Sequence, residues 1–267
     1  MAKTDSVPSE VVKAFKCSGD PQKLEGGQGG SYRVGELVLK PVDDVARYEW
    51  VAELLTKIRS SEIRIAMPQR TELREFTHLG WGATRYEPGE ATHGRWSEKL
   101  AVCRELHSSL RRVQMAPLPP GSDPWTRAHQ ITWQEVEMPQ DIRPETQHLL
   151  APLFQAYDPM TRSRRVIHSD MCGNILFAAG LKPLVIDFSA AHGDPEYAEA
   201  ILVADAIAWE KAPVELLNEL PETPVYRQML LRAVTFRVIT AALRFPSKPE
   251  WAESEYNNFA LIIQRLG

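Results

Sequence analysis

Two short segments hold the residues best suited to chemistry. One runs His168-Ser169-Asp170-Met171-Cys172-Gly173-Asn174 into the apolar Ile175-Leu176-Phe177; the other is Leu184-Val185-Ile186-Asp187-Phe188. Asp187 follows Asn174 by thirteen residues, and each segment carries its acidic residue at the edge of a strand-like apolar run. Phosphoryl transfer asks for little covalent help. It needs a phosphate cradle, a cation on the phosphates, carboxylate or amide ligands for a metal ion, and a carboxylate near the acceptor hydroxyl. These two segments offer the last two parts.

The first two parts have candidates upstream. Gly26, Gly27, Gln28, Gly29, Gly30 and Ser31 form a glycine-rich bend whose backbone can come close to a triphosphate and donate N–H groups to it. It matches neither a strict G-x-G-x-x-G nor a Walker A, and such a run on its own is often only a flexible loop. Lys40 ends the next strand, in the apolar setting of Leu37, Val38 and Leu39, where a solvated lysine is out of place. Its expected partner is a glutamate of the following helix, Glu53 first and Glu49 second, one turn apart on the same face. The plainer reading pairs Glu53 with Lys57 at i,i+4.

Taken in order, these motifs resemble the aminoglycoside phosphotransferase and choline-kinase-like family of the protein-kinase superfamily. That family shows an H-G-D-x-x-x-x-N-hydrophobic loop and then an apolar strand ending in I-D. The resemblance spans most of the chain, from the glycine bend and Lys40 through the Glu87-Pro88-Gly89 break to both later motifs. The stretch 122–135, SDPWTRAHQITWQE, is similar to an insertion found in a small subgroup.

The resemblance implies an α+β, two-lobed protein-kinase-like fold, with a strand-rich N-lobe over 1–87 and a mostly helical C-lobe over 88–267. It implies ATP and Mg2+ as cofactors. Asp170 would be the catalytic base, and Asn174 and Asp187 the magnesium ligands. His168 would hold the loop, and the backbone of Arg85 and Glu87 would meet adenine at the hinge. Asn174 comes only four residues after Asp170, one fewer than in the family's loop, so Gly173 is expected to adopt a positive φ that tightens the turn. Phe188-Ser189 replaces the usual glycine-containing pair after the metal-binding aspartate. Cys172 reads as a packing residue, as do His107 and His78 unless they lie on the surface.

Hydrophobic periodicity supplies the elements that must position these groups. A helix near 8–16 precedes the glycine bend, a strand at 31–34, a tight turn at Gly35-Glu36 and a strand ending at Lys40. A helix over 43–59, capped by Asp43 or Asp44, sets Val51, Leu54, Leu55 and Ile58 toward the core. Two or three strands between Ile63 and Tyr86 lead to a helix over 95–113. The proline-rich stretch 116–144 reads as irregular. Further helices are expected at 144–157, 196–210, 225–244 and 253–266.

Composition bounds the function classes. The net charge of −4 argues against nucleic-acid or membrane-surface binding. No apolar run is long enough to span a membrane, and the N-terminus lacks the apolar core of a signal peptide. Three cysteines with no metal-ligand spacing suggest a reducing compartment, so the expected location is cytoplasmic. The acceptor is read as a small hydroxyl-bearing molecule of the aminoglycoside or amino-alcohol class. Asp194, Glu196, Glu199, Asp205 and Glu210 form an acidic set that could receive a cationic one. Two rival readings stand: a dedicated Ser/Thr kinase of a peptide in a biosynthetic pathway, since the missing activation segment with its APE-type anchor disfavours a general protein kinase but not a dedicated one, and an inactive nucleotide-binding scaffold, which would not need Lys40, Asp170, Asn174 and Asp187 together.

Overall fold

The computed structural model describes residues 6–24, 30–140 and 142–266. The chain begins with helix α1 (Ser9–Ala14), strands β1 (Gln22–Lys23), β2 (Tyr32–Val34) and β3 (Leu37–Pro41), and helix α2 (Val45–Lys57). Strands β4 (Arg64–Ile65), β5 (Thr77–His78), β6 (Trp81–Arg85) and β7 (Glu90–Ala91) follow. Next come helices α3 (Trp96–Leu110), α4 (Pro124–Thr132) and α5 (Pro144–Gln155). Strands β8 (Val166–His168), β9 (Ile175–Phe177), β10 (Leu184–Val185) and β11 (Ala190–His192) lead into helices α6 (Pro195–Trp209), α7 (Pro224–Arg244), α8 (Pro249–Asn258) and α9 (Ala260–Leu266). The front is strand-rich and the back helical, an α+β architecture as the motifs implied.

The chain divides into two compact units. The first takes residues 1–90, 112–120 and 176–187; the second takes 91–111, 121–175 and 188–267. A single cut after residue 87 therefore does not describe it, because two later segments return to the first unit. Helix α2 holds one of them: Trp50 Nε1 donates to Ala116 O at 2.9 Å and Arg47 Nη1 to Pro119 O at 2.9 Å. Strand β10 brings the other by pairing parallel with β4, Leu184 opposite Arg64 and Val185 opposite Ile65.

In the first unit, β1, β2, β3, β6 and β5 form a sheet in that order. Gly35 turns the β2–β3 hairpin with φ of 59°, at the first position of a two-residue turn where positive φ is needed. Val11, Phe15, Tyr32, Val34, Leu39, Trp81 and Ala83 make a buried cluster on one face of this sheet. Leu39 enters that core, so the strand's period of two turns the next residue, Lys40, to the opposite face. Helix α2 starts at Asp44, whose carboxylate accepts the N–H of Arg47 at 3.0 Å.

In the second unit, α7 packs against α4, α6 and α8, and α6 also packs on α3. Helix α6 is buried almost all round, as a stretch from Ala198 to Ile207 that is apolar but for Glu199 and Asp205 requires. Helix α4 lies inside the stretch expected to be irregular. Asp123 accepts the N–H groups of Trp125 and Thr126, each at 3.0 Å, and Pro124 occupies the first helical position, where its missing N–H costs nothing. Proline there marked a helix start, not a loop. The last expected helix is two, α8 and α9. The N–H of the buried Phe259 bonds to Tyr256 O at 3.1 Å, three residues back, and closes the first helix. Among the described residues, no helix is long and apolar enough to cross a membrane.

Candidate active site

Within the first unit, Lys40 Nζ forms an ion pair with Asp187 Oδ1, joining residues 147 apart in sequence. Lys40 is carried by β3, and Asp187 follows shortly after β10. Asp187 has φ of 48°, in the left-handed region that a non-glycine residue enters at some cost, and such strain clusters at functional sites.

The expected glutamate partner is not there. Glu53 instead accepts from Arg70 Nη2 at 2.9 Å and lies 3.4 Å from Lys57 Nζ, while Glu49 accepts from Thr77 Oγ1 at 2.9 Å. The physical reason is the rotation of α2 about its axis. Gly82, which pairs with Lys40 across β3 and β6, is covered by the ring of Tyr48; a Cβ on Gly82 would sit 2.2 Å from Tyr48 Cζ. Tyr48 thus occupies the place on α2 that faces the Lys40 row. Burial, and then the nearby charge of Asp187, push the Tyr48 hydroxyl's pKa up. The bare Gly82 between Trp81 and Ala83 was the sequence sign of a ring packed there.

Of the glycine bend, Gly26, Gly27, Gln28 and Gly29 lie outside the described residues. Gly30 and Ser31 lead into β2, and Ser31 O accepts the N–H of Leu24 at 2.9 Å. At the end of β6, Arg85 gives its N–H to Met67 O at 2.8 Å, and the Glu87 carboxylate accepts from Arg64 Nη1 at 3.1 Å. Arg85 Nε is 3.7 Å from the same carboxylate.

The second unit carries the other motif. Strands β8 and β11 pair antiparallel, His168 opposite Ala190, and Ser169 N–H continues the ladder to Ser189 O at 2.9 Å. The His168 N–H donates to His107 Nε2 at 3.1 Å, and His107 Nδ1 meets Cys103 O at 2.7 Å. That pattern places the His107 proton on Nδ1 and requires a neutral ring. Burial first of all pulls the His107 pKa down to about 4, although the bond to Cys103 O opposes it. His107 is therefore a structural support for the loop and not a surface residue. His168 Nδ1 in turn accepts the N–H of Asp170 at 3.2 Å, so the histidine holds the backbone of the expected base.

The Asp170 carboxylate is gripped at both oxygens. Arg237 Nη2 donates to Oδ1 at 2.8 Å, and Asn174 Nδ2 reaches Oδ2 at 3.3 Å and the Asp170 carbonyl at 2.7 Å. The shortened loop is closed by a turn in which Asn174 N–H donates to Met171 O at 3.0 Å. Gly173 does not have the positive φ expected of it. An ordinary turn with Cys172 and Gly173 at its centre takes up the missing residue without one.

Arg237 is buried on α7 and also pairs with Asp205 on α6, through Nε at 2.9 Å and through Nη2. Burial raises the Asp205 pKa to about 7, with Arg237 pulling it down. For Arg237 burial opposes the charge, but Asp205 and then Asp170 outweigh it and hold the guanidinium cationic. Arg237 did not stand out in the sequence, and Asp205 did so only as one of the acidic set read as receiving a cationic acceptor. The available signal was Asp205 itself, a carboxylate alone inside the apolar Ile201-Leu202-Val203-Ala204-Asp205-Ala206-Ile207, which burial obliges to find a partner.

The acidic set expected to receive a cationic acceptor is largely spent inside the unit. Besides Asp205, Glu199 accepts from Arg104 Nε at 2.9 Å and Tyr226 at 3.3 Å, and Glu210 from Lys99 Nζ at 2.5 Å and Trp96 Nε1 at 2.8 Å. Asp194 lies 3.8 Å from Arg165 Nη1. These carboxylates answer the basic side chains of neighbouring elements. A cavity of about 260 Å3 opens beside the loop, lined among others by Thr92, His93, Cys172, Gly173, Trp209 and Glu210.

The family model described as the phosphotransferase enzyme family matches residues 22–231, a span that includes Lys40, Asp170, Asn174 and Asp187. The chain belongs to that family. Among curated proteins none matches it. Among solved structures it is similar to a thermostable mutant of aminoglycoside phosphotransferase APH(4)-Ia, with 18% identity, TM-score 0.62, and 98% of this chain and 100% of the other covered. The choline kinase LicA from Streptococcus pneumoniae gives 10% identity and TM-score 0.62, with 97% and 96% covered. Spectinomycin phosphotransferase APH(9)-Ia, solved with ADP and spectinomycin, gives 14% and 0.54, with 94% and 92% covered. These likenesses show the fold of this phosphotransferase to be the α+β, protein-kinase-like one.

Proposed function

We propose that this phosphotransferase moves the γ-phosphoryl group of ATP to a hydroxyl of a small molecule, with magnesium as the metal. The observation that carries the reading is the meeting of Lys40 and Asp187. A phosphate-binding cation and a metal-binding carboxylate, far apart in sequence, come together at one end of one unit. Each has the charge to exchange its present partner for a component of a metal–triphosphate complex. The structures of APH(4)-Ia with AMP-PNP and hygromycin B and of APH(9)-Ia with ADP and spectinomycin support nucleotide and hydroxyl-bearing small molecules as the substrate classes.

The donor set suits magnesium. Among the described residues no group of three or more His, Cys, Asp and Glu side chains is placed to hold a metal. Magnesium is instead held by one or two protein oxygens, water and substrate phosphates. Asp187 offers a half-exposed carboxylate, and Asn174, whose nitrogen end is given to Asp170, has its amide oxygen left for a cation. When bound, the ion neutralises charge on the phosphates. Asp170 accepts or orients the proton of the acceptor hydroxyl, and Lys40 draws the phosphate oxygens into line. Arg85 and Glu87 stand as the place where adenine meets backbone.

Pockets for drug-sized ligands measure roughly 300–1,000 Å3, so an acceptor held in the cavity of about 260 Å3 beside the loop would be compact, one sugar ring or an amino alcohol. The internal pairing of the acidic set removes the reason to favour a polycationic one. Turnover of MgATP by purified protein against amino sugars, small alcohols and Ser/Thr peptides, read by an 80 Da-class mass gain, decides the acceptor. Phosphate transfer to a peptide and to no small molecule would replace this reading, and the absence of any nucleotide binding would end it.

A further inference from the structure

On the reading of Asp170 as the base, we infer that Arg237 is a positioning residue that commits one carboxylate oxygen, Oδ1, and so presents Oδ2 to the acceptor hydroxyl. Asp170 has a side chain 42% exposed, while Arg237 is 5% exposed. A carboxylate that open to solvent turns freely unless something rigid holds it. Arg237 is rigid for three reasons. Its Nε and Nη2 grip Asp205, whose side chain is fully buried; its guanidinium lies 4.8 Å from the Trp209 ring centroid; and it lies 4.9 Å from that of Phe236. The planar fork fixes the direction of the remaining N–H, which reaches Asp170 Oδ1 at 2.8 Å.

The geometry separates the two oxygens. Oδ1 takes a charge-assisted bond from a group that cannot move. Oδ2 takes only the longer 3.3 Å contact from Asn174 Nδ2, an amide whose shorter bond, 2.7 Å, goes to the Asp170 carbonyl. Oδ2 is thus the oxygen with capacity to spare for a proton.

The test uses the full chain and four variants: Arg237→Met, Arg237→Lys, the paired Arg237→Met with Asp205→Leu, and Asp170→Asn. The paired variant removes both buried charges together, so that folding survives if the single change fails. Crystal structures of the wild type and the paired variant show the Asp170 carboxylate directly. The expected result is one orientation in the wild type and a rotated or multiply placed carboxylate in the variant; an unchanged carboxylate overturns the proposal. Hydrolysis of MgATP, with water in place of the acceptor, supplies the second reading. Loss of Arg237 is expected to lower kcat by about 10²-fold with KM for ATP within about twofold, and Arg237→Lys to recover part of it. Adding the paired change to Asp170→Asn should cost nothing more. A further independent loss in that background makes Arg237 merely structural. Full activity of Asp170→Asn overturns the base assignment instead, and the crystallographic result then still judges the clamp.

Discussion

The ring of Tyr48 occupies the space that a side chain on Gly82 would need, with Cζ 2.2 Å from an ideal Cβ position. Gly82 is the cross-strand partner of Lys40, so this contact fixes the seating of α2 over the row that carries that lysine. Gly82→Ala must push the ring away. A cost of about 1–3 kcal/mol is expected from such overpacking, measured by urea unfolding. In a Tyr48→Ala background the same change should cost clearly less, because the obstacle is gone. Equal costs in both backgrounds would mean that the strand itself, and not the tyrosine, demands glycine.

Asp170→Asn should leave ATP affinity nearly intact while transfer falls by about 10²–10⁴-fold, the usual contribution of a positioned general base. The amide keeps the shape of the carboxylate but accepts no proton. Single-turnover transfer to the acceptor found in the panel, together with calorimetric ATP binding, checks both halves. A wild-type rate removes Asp170 from the chemistry.

On the proposed role of its carboxylate as a ligand to the ion, Asp187→Ala should abolish the part of ATP affinity that depends on magnesium. Lys40→Ala should weaken ATP more than adenosine, since its ammonium is proposed to meet phosphate and not the base. Calorimetry with ATP and adenosine, with and without magnesium, separates the two roles. Parallel losses for ATP and adenosine would assign Lys40 to the fold alone.

How far these residues could be read from the sequence depends on how local their signals are. Asp170, Asn174 and Asp187 sit in short runs where the strand edge and the acidic residue lie within a few positions, and Lys40 stands out against Leu37, Val38 and Leu39. The partner of Lys40 did not follow, because seeing that neither Glu49 nor Glu53 faces it requires the rotation of α2, and its actual partner, Asp187, lies 147 residues away in sequence. Arg237 and its pairing with Asp205 were hidden for the same reason: the pairing depends on how α6 and α7 pack, and 32 residues separate the two. Helix α4 was missed differently. The Asp123-Pro124 start was present, but the surrounding prolines were read as loop.

His107 makes stability depend on pH in a defined window. Its folded pKa is pulled down to about 4, mainly by burial, from the ordinary histidine value of 6.5. Above pH 6.5 the ring is neutral in both states and the fold suffers no penalty. Between pH 6.5 and 4 the unfolded chain takes up a proton that the folded chain refuses, so stability falls as the pH falls. A difference of this size corresponds to about 3 kcal/mol once the pH reaches the folded value. The neutral ring is also what the loop needs: Nε2 must stay an acceptor for His168 N–H, the residue that in turn holds the Asp170 backbone. Other groups titrate in the same range, so the comparison is with His107→Gln, which can still accept a hydrogen bond but cannot take up the proton. Urea unfolding of both proteins at pH 7.5, 6 and 5 is the measurement. The wild type should lose more stability than the variant between pH 7.5 and 5, and the gap should widen steadily as the pH falls. Parallel curves would mean that His107 protonates in the folded protein as readily as in the unfolded one, and that the neutral histidine is not what supports the loop.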